Sequence, residues 1–239
     1  MASFVLVHGA WSGRWVWERV TPVLEEAGHR VDAVDLPGRG SNPAAPAEMT
    51  LDAYARHVAD RVKAAGEPVV LVGHSMGGMS ISAAAELVPD RIETLVYVTA
   101  FLPGDGQSLP ELAKGNPDEL VQSNIVVDEA AGLCTVRPEV QREAFYGECS
   151  AEDAAWGTAR RVPESLAAIG SPVHLTEERA GSVPRVYVEC TRDRALTIAQ
   201  QRRMWAARPC ERVLTLESDH SPFLCVPAEL AAHLLAVAG

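Results

Sequence analysis

The chain has 239 residues, 47% of them hydrophobic and 22% charged, which supports a sizeable core within the size range of one α/β domain. A net charge of −11 with no run of Lys or Arg argues against a nucleic-acid partner, which normally needs a basic patch or stripe. No apolar run approaches the roughly 18 residues of a membrane span, and the N-terminal MASFVLVHGAW lacks the basic start of a secretory signal. Five scattered cysteines without a CxxC pair fit neither a disulfide framework nor a zinc site, so the expectation is a cytoplasmic protein with reduced thiols and no metal or organic cofactor.

The first strand is FVLV (4–7), which runs into HGAW. A helical pattern over 14–27 follows, with Val16, Val20, Val23, Leu24 and Ala27 on one side and Gly28 as its stop. VDAV (31–34) is the second strand, and Asp35-Leu36-Pro37-Gly38 reads as the turn that ends it. A helix over 51–65 leads to VVLV (69–72), then a glycine-rich turn, then a helix over 76–87. TLVYV (94–98) is the fourth strand. After the next gap come RVYVE (185–189), a helix over 197–206, RVLTL (212–216) and a last helix over 227–237 with Pro227 in its first turn. Most of these strands are apolar on consecutive residues, as in a parallel sheet buried on both faces, and the β-α-β rhythm predicts a doubly wound α/β domain.

From about 103 to 180 the rhythm breaks and no strong strand is evident. Helical pieces such as LPELAKG, PEVQREAF and SAEDAAWGTARRV predict a helical cap over 103–180, inserted into a core of 1–102 and 181–239. Open α/β sheets bind ligands outside their C-terminal strand ends, which favours a cap over a second small domain with no part in the site. The pairs Arg160-Arg161 and Arg202-Arg203 read as solvated helix faces.

The chemistry centres on Gly73-His74-Ser75-Met76-Gly77, a G-x-S-x-G between a strand and a helix. A sharp turn there exposes the hydroxyl, and small flanking residues let the backbones pass. Serine is a weak nucleophile that needs a histidine base oriented by a carboxylate, in the chain order Ser, acid, His. Of the downstream histidines, His233 lies within the last helix and His174 in the cap segment, whereas His220 follows the strand RVLTL in a loop at the top of the sheet. Asp193, just after RVYVE, is the preferred acid; Asp105 is the other position from which an acid could serve, and Asp219 reads as a turn residue. The backbone N–H groups of Met76 and of Ala10, the latter in VHGAW, suit an oxyanion hole. His8 and His74 read as loop-holding residues. Phe101, Leu102, Phe145 and Trp156 are candidates for the substrate pocket.

Over its whole length the sequence resembles the α/β-hydrolase superfamily, and more narrowly the plant methylesterase and hydroxynitrile lyase group with its bacterial esterase relatives. The residues that carry this are FVLVHGAWSGRWVW (4–17), DLPGRG (35–40), GHSMGG (73–78), FYGECSAEDAAW (145–156), YVECTRDRAL (187–196) and SDHSPF (218–223). The resemblance implies Ser75, Asp193 and His220 as a catalytic triad, with Ala10 and Met76 as oxyanion donors. It also bears on the reaction. The lyases carry a threonine where this chain has Gly9 and a lysine where it has Ser221, so both positions point to an esterase. The expectation is a serine carboxylesterase acting on a small to medium apolar or aromatic ester, as a monomer or homodimer. The alternatives are a non-hydrolytic lyase or cyclase using the same triad, and a ligand-binding protein of slow turnover.

Overall fold

In the computed structural model, which describes residues 1–116 and 118–239, the strands and helices are as follows. The first half contains β1 (Ser3–Val7), α1 (Thr21–Glu26), β2 (Arg30–Val34), α2 (Leu51–Ala64), β3 (Val69–His74), α3 (Gly77–Leu87) and β4 (Ile92–Val98). Next come α4 (Leu109–Ala113), β5 (Ile125–Asp128), β6 (Leu133–Val136), α5 (Pro138–Tyr146), α6 (Ala151–Thr158), β7 (Glu164–Ser165) and α7 (Leu166–Gly170). The chain closes with β8 (Arg185–Cys190), α8 (Ile198–Ala207), β9 (Arg212–Leu216), α9 (Pro222–Cys225) and α10 (Pro227–Val237). Residue 117, inside the segment expected to form the cap, lies outside the described residues. Among those residues no helix is long and apolar enough to cross a membrane.

Six strands form one parallel sheet in the order β2-β1-β3-β4-β8-β9. Every residue of β1 and β3 is buried, in keeping with their unbroken apolar runs, while the edge strands β2 and β9 are partly exposed. The chain moves outward from β1 to β2, then returns across β1 to β3 and continues the other way. That reversal makes the C-terminal ends of β1 and β3 the switch point of the sheet, where its ligand crevice opens.

Three features depart from the sequence expectation. The pattern over 14–27 is a 3-10 turn at Arg14–Trp17 followed by the separate helix α1. Pro22 is the cause: it lacks the N–H a continuous helix needs and sits instead in the first turn of a new one. The segment between β4 and β8 has its helices, but it also contains a three-stranded antiparallel sheet, β5-β6-β7. The arginine pairs are not simply solvated. Arg160 lies 4.0 Å over the Trp156 ring, Arg161 lies 3.6 Å over Phe145, Arg202 pairs with buried Glu189, and Arg203 donates to the carbonyls of Leu112 and Lys114.

A buried polar cluster joins the small sheet to the main one. Arg39 and Glu164 pair at 2.6 Å, the Tyr54 hydroxyl donates to Glu164 at 2.8 Å, and Trp11 Nε1 donates to the Cys134 carbonyl at 3.0 Å. Removing one partner of such a pair strands a charge in the interior, so this cluster holds the inserted segment in place over the strand ends.

Candidate active site

The site begins where β3 turns into α3. Ser75 has φ 53°, in the left-handed region that non-glycine residues seldom adopt. A Cβ on Gly73 would lie 2.8 Å from the Gly77 carbonyl, and one on Gly77 would lie 2.8 Å from the His8 carbonyl oxygen. The two glycines therefore let the turn close on itself and pack against the end of β1, which holds the serine in its strained conformation.

His220 comes to this serine from the loop between β9 and α9. Ser75 Oγ donates to His220 Nε2 at 3.0 Å, and His220 Nδ1 donates to Asp193 Oδ2 at 2.6 Å. Asp193 is buried, yet all its lone-pair directions are served: Oδ1 accepts the backbone N–H groups of Ala195 and Leu196 at 2.7 and 2.8 Å, and Oδ2 also accepts the Thr99 hydroxyl at 2.5 Å. Four donors around one carboxylate compensate the desolvation of its charge. No motif in the sequence marks Thr99 as part of the site. Its position, directly after the strand TLVYV, is the one signal the sequence offers.

The other titratable candidates lie elsewhere. Asp105 accepts the Leu175 N–H, and His174 stands 3.9 Å from it on the surface. His233 Nε2 is 3.2 Å from the Thr215 carbonyl oxygen. His8 and His74 hold loops. His8 Nδ1 donates to Gly9 O while its Nε2 accepts the Leu36 N–H, and His74 Nε2 donates to the His220 carbonyl at 2.8 Å. Burial lowers the pKa of His8 to about 4 and that of His74 well below the ordinary imidazole value, the latter helped by neighbouring His220. Asp219 shapes the turn, accepting the N–H groups of Ser221 and Glu148.

A narrow cavity of about 40 Å³ opens over Ser75 and His220. The core contributes Ala10, Met76 and Phe101, and the inserted segment covers them with Leu109, Val121, Ile125, Phe145 and Ile169; Gln122 and Glu119 are its polar members besides Ser75 and His220. The backbone N–H groups of Ala10 and Met76 have no protein acceptor among the described residues. Two expected pocket residues are not at this cavity. Leu102 turns into the core beside Phe101, and Trp156 packs edge-on against Trp15 at 5.2 Å. Arg161, expected on a solvated helix face, covers the Phe145 ring instead, and that ring in turn packs 5.6 Å from the His220 ring.

A parallel sheet in this strand order, with a serine at its central strand-to-helix elbow, defines the α/β-hydrolase architecture. The chain belongs to the alpha/beta hydrolase family, whose model matches residues 4–233. It is 34% identical to Methylesterase 2 of Arabidopsis thaliana over 98% of this chain and 95% of that protein. It is 32% identical to the Alpha-hydroxynitrile lyase of the same plant, over 98% of this chain and 96% of that one. Among solved structures, a pyrethroid hydrolase from Sphingobium faniae JZ-2 superposes with a TM-score of 0.89 at 30% identity, covering 99% of this chain and 97% of that chain. The chain is accordingly an enzyme of the hydrolase class, of the esterase type.

Proposed function

We propose that the protein is a serine carboxylesterase with Ser75, His220 and Asp193 as its catalytic triad. The observation that carries this reading is the unbroken relay from Ser75 Oγ through His220 to Asp193 at 3.0 and 2.6 Å. With Nδ1–H given to Asp193, the Nε2 lone pair of His220 faces the serine hydroxyl. Ser75 Oγ attacks the ester carbonyl as its proton passes to Nε2, and the Asp193 carboxylate stabilises the imidazolium. The N–H groups of Ala10 and Met76 receive the oxyanion of the tetrahedral intermediate, a role worth about 2.7–4 kcal/mol of barrier per donor. Collapse expels the alcohol, which takes the proton from His220. Water, deprotonated by the same imidazole, then releases the acid and restores Ser75.

The inserted segment acts as a cap that shapes the substrate. Its mostly apolar cover, with Glu119 and no Lys or Arg among the described lining residues, suits a neutral ester with an apolar or aromatic body better than a carboxylate-bearing one. A reducing cytoplasm suits the five unpaired cysteines.

Kinship reaches a lyase as well as esterases, and two residues favour hydrolysis. A Cβ on Gly9 would stand 2.6 Å from Ser75 Cβ, so the glycine leaves open the space beside the nucleophile that a water needs for deacylation. Ser221 supplies no charge next to His220 to receive a leaving anion. The test compares initial rates on p-nitrophenyl butyrate for the wild type and Ser75→Ala. Saturable turnover that falls by about 10⁴-fold or more in the folded variant is expected; equal rates in the two proteins would remove Ser75 from the mechanism.

A further inference from the structure

Cys149, 70 residues before Asp219 in sequence, meets Asp219 and Cys225 where the start of α6 approaches α9. Cys149 Sγ lies 3.6 Å from Asp219 Oδ2, and Cys225 Sγ lies 3.3 Å from Asp219 Oδ1. One donor atom from each of the three residues falls within 4.8 Å of the others. Cys149 and Asp219 are buried, whereas Cys225 is partly exposed and opens the cluster to solvent on one side.

We propose that Cys149, Asp219 and Cys225 form a binding site for one thiophilic divalent cation of the zinc or cadmium kind, distinct from the hydrolytic centre. Tetrahedral zinc, with bonds of about 2.3 Å to sulfur and about 2.0 Å to oxygen, separates a sulfur ligand from an oxygen ligand by about 3.5 Å. The two sulfur–oxygen separations here bracket that length. The carboxylate lies between the thiols with one oxygen toward each, so it can bind through either oxygen or both. Its orientation is fixed from behind, because Oδ1 accepts the Ser221 N–H and Oδ2 accepts the Glu148 N–H, both at 2.8 Å. The Ser218 hydroxyl, 3.0 Å from Cys225 Sγ, can donate to that sulfur as a thiolate. Water takes the fourth position.

On binding, each thiol releases its proton to solvent and its sulfur donates the freed electron pair to the cation; nothing is oxidised or reduced. Two thiolates select a soft cation over magnesium or calcium, which prefer oxygen. The site joins Cys149, two residues before α6 on the inserted segment, to Asp219, the residue immediately before His220. Occupancy therefore ties the cap to the loop that carries the proposed base.

The experiment titrates cadmium into the full-length protein, stripped with a chelator and kept reduced by a phosphine. It follows sulfur-to-cadmium charge-transfer absorption, together with the protons released. One equivalent is expected to bind with release of about two protons, one from each thiol. Cys149→Ser and Cys225→Ser should each weaken binding by roughly 100-fold or more, since losing a mere outer-shell partner already costs 10–100-fold. The combined Cys134→Ser/Cys190→Ser/Cys210→Ser variant should bind as the wild type does. Cys225, being partly exposed, tolerates serine even if the buried Cys149 does not, so its variant decides the matter. Absence of the charge-transfer band in the wild type, unchanged affinity in Cys225→Ser, or loss of binding in the triple variant would each overturn the proposal. None of these readouts depends on Ser75 being a nucleophile, so this inference and the esterase reading fail separately.

Discussion

At the scale of single residues, the proposed triad depends on a group outside it. Asp193 Oδ2 is shared between His220 Nδ1 and the Thr99 hydroxyl, and Thr99 reaches it from a backbone held at φ 35°. A hydrogen bond to a charged group is worth about 1.5–3 kcal/mol, and here it fixes the rotation of the carboxylate that orients the imidazole. Thr99→Val keeps the shape and removes the donor. It should lower kcat about tenfold with little change in KM, since about 1.4 kcal/mol of barrier is one power of ten. A wild-type kcat would mean that the Ala195 and Leu196 N–H groups alone hold Asp193. The elbow serine and the chain order of its partners could be read from the sequence because each is a local pattern. Thr99 could not, since nothing local distinguishes it from any other threonine after a strand.

At the scale of elements, the β3–Ser75–α3 elbow owes its shape to close backbone approaches. A Cβ on Gly78 would fall 2.1 Å from the Phe101 carbonyl oxygen, and both Gly78 N and Phe101 N donate to Ser75 O at 3.0 Å. Gly78→Ala therefore pushes α3 off the segment after β4, and both are tied to the serine. Overpacking of this kind typically costs 1–3 kcal/mol, and a backbone atom at 2.1 Å puts this case at about 3 kcal/mol. Urea unfolding should show that loss, with a parallel loss of esterase activity. Gly170→Ala, at the end of α7 with open space around it, should unfold within about 0.5 kcal/mol of the wild type. The inner strands of the main sheet are legible because burial on both faces demands unbroken apolar runs, while the partly exposed edge strands β2 and β9 are legible from shorter β-branched stretches. The small sheet is not: β7 is two residues long, and β5 offers only the three-residue run Ile125-Val126-Val127, two of them exposed, which is too short to mark a strand. Its pairing is fixed by long-range partners such as Glu164 with Arg39 and Tyr54. The Cys149–Asp219–Cys225 cluster is illegible for the same reason, as Cys149 joins the other two from 70 residues upstream of Asp219.

At the scale of the whole molecule, the site sits on two imidazoles that the fold keeps neutral. His8 is fully buried at the end of β1 and His74 at the end of β3, each hydrogen-bonded to a backbone carbonyl that locks a loop of the site. In the unfolded chain an imidazole protonates near pH 6.5, whereas folded His8 resists until about pH 4 and folded His74 also holds out well below 6.5. Between those limits the unfolded state binds more protons, so acid favours unfolding. The contribution of neutral His8 is intact above pH 6.5 and falls by on the order of 3 kcal/mol as the pH approaches 4. Asp219 acts in the opposite sense, because burial raises its pKa and its protonation suits the folded state better than the unfolded one. The difference between proteins is therefore the clean quantity. His8→Gln places an amide where the imidazole donates and accepts, with no group to titrate. Urea midpoints at pH 7.5, 6 and 5 should fall steeply for the wild type and less steeply for His8→Gln, the two curves converging toward acid. Parallel curves would mean that His8 takes up its proton in the folded state as readily as in the unfolded one. In that case the loops of the site would be held by something other than a neutral imidazole.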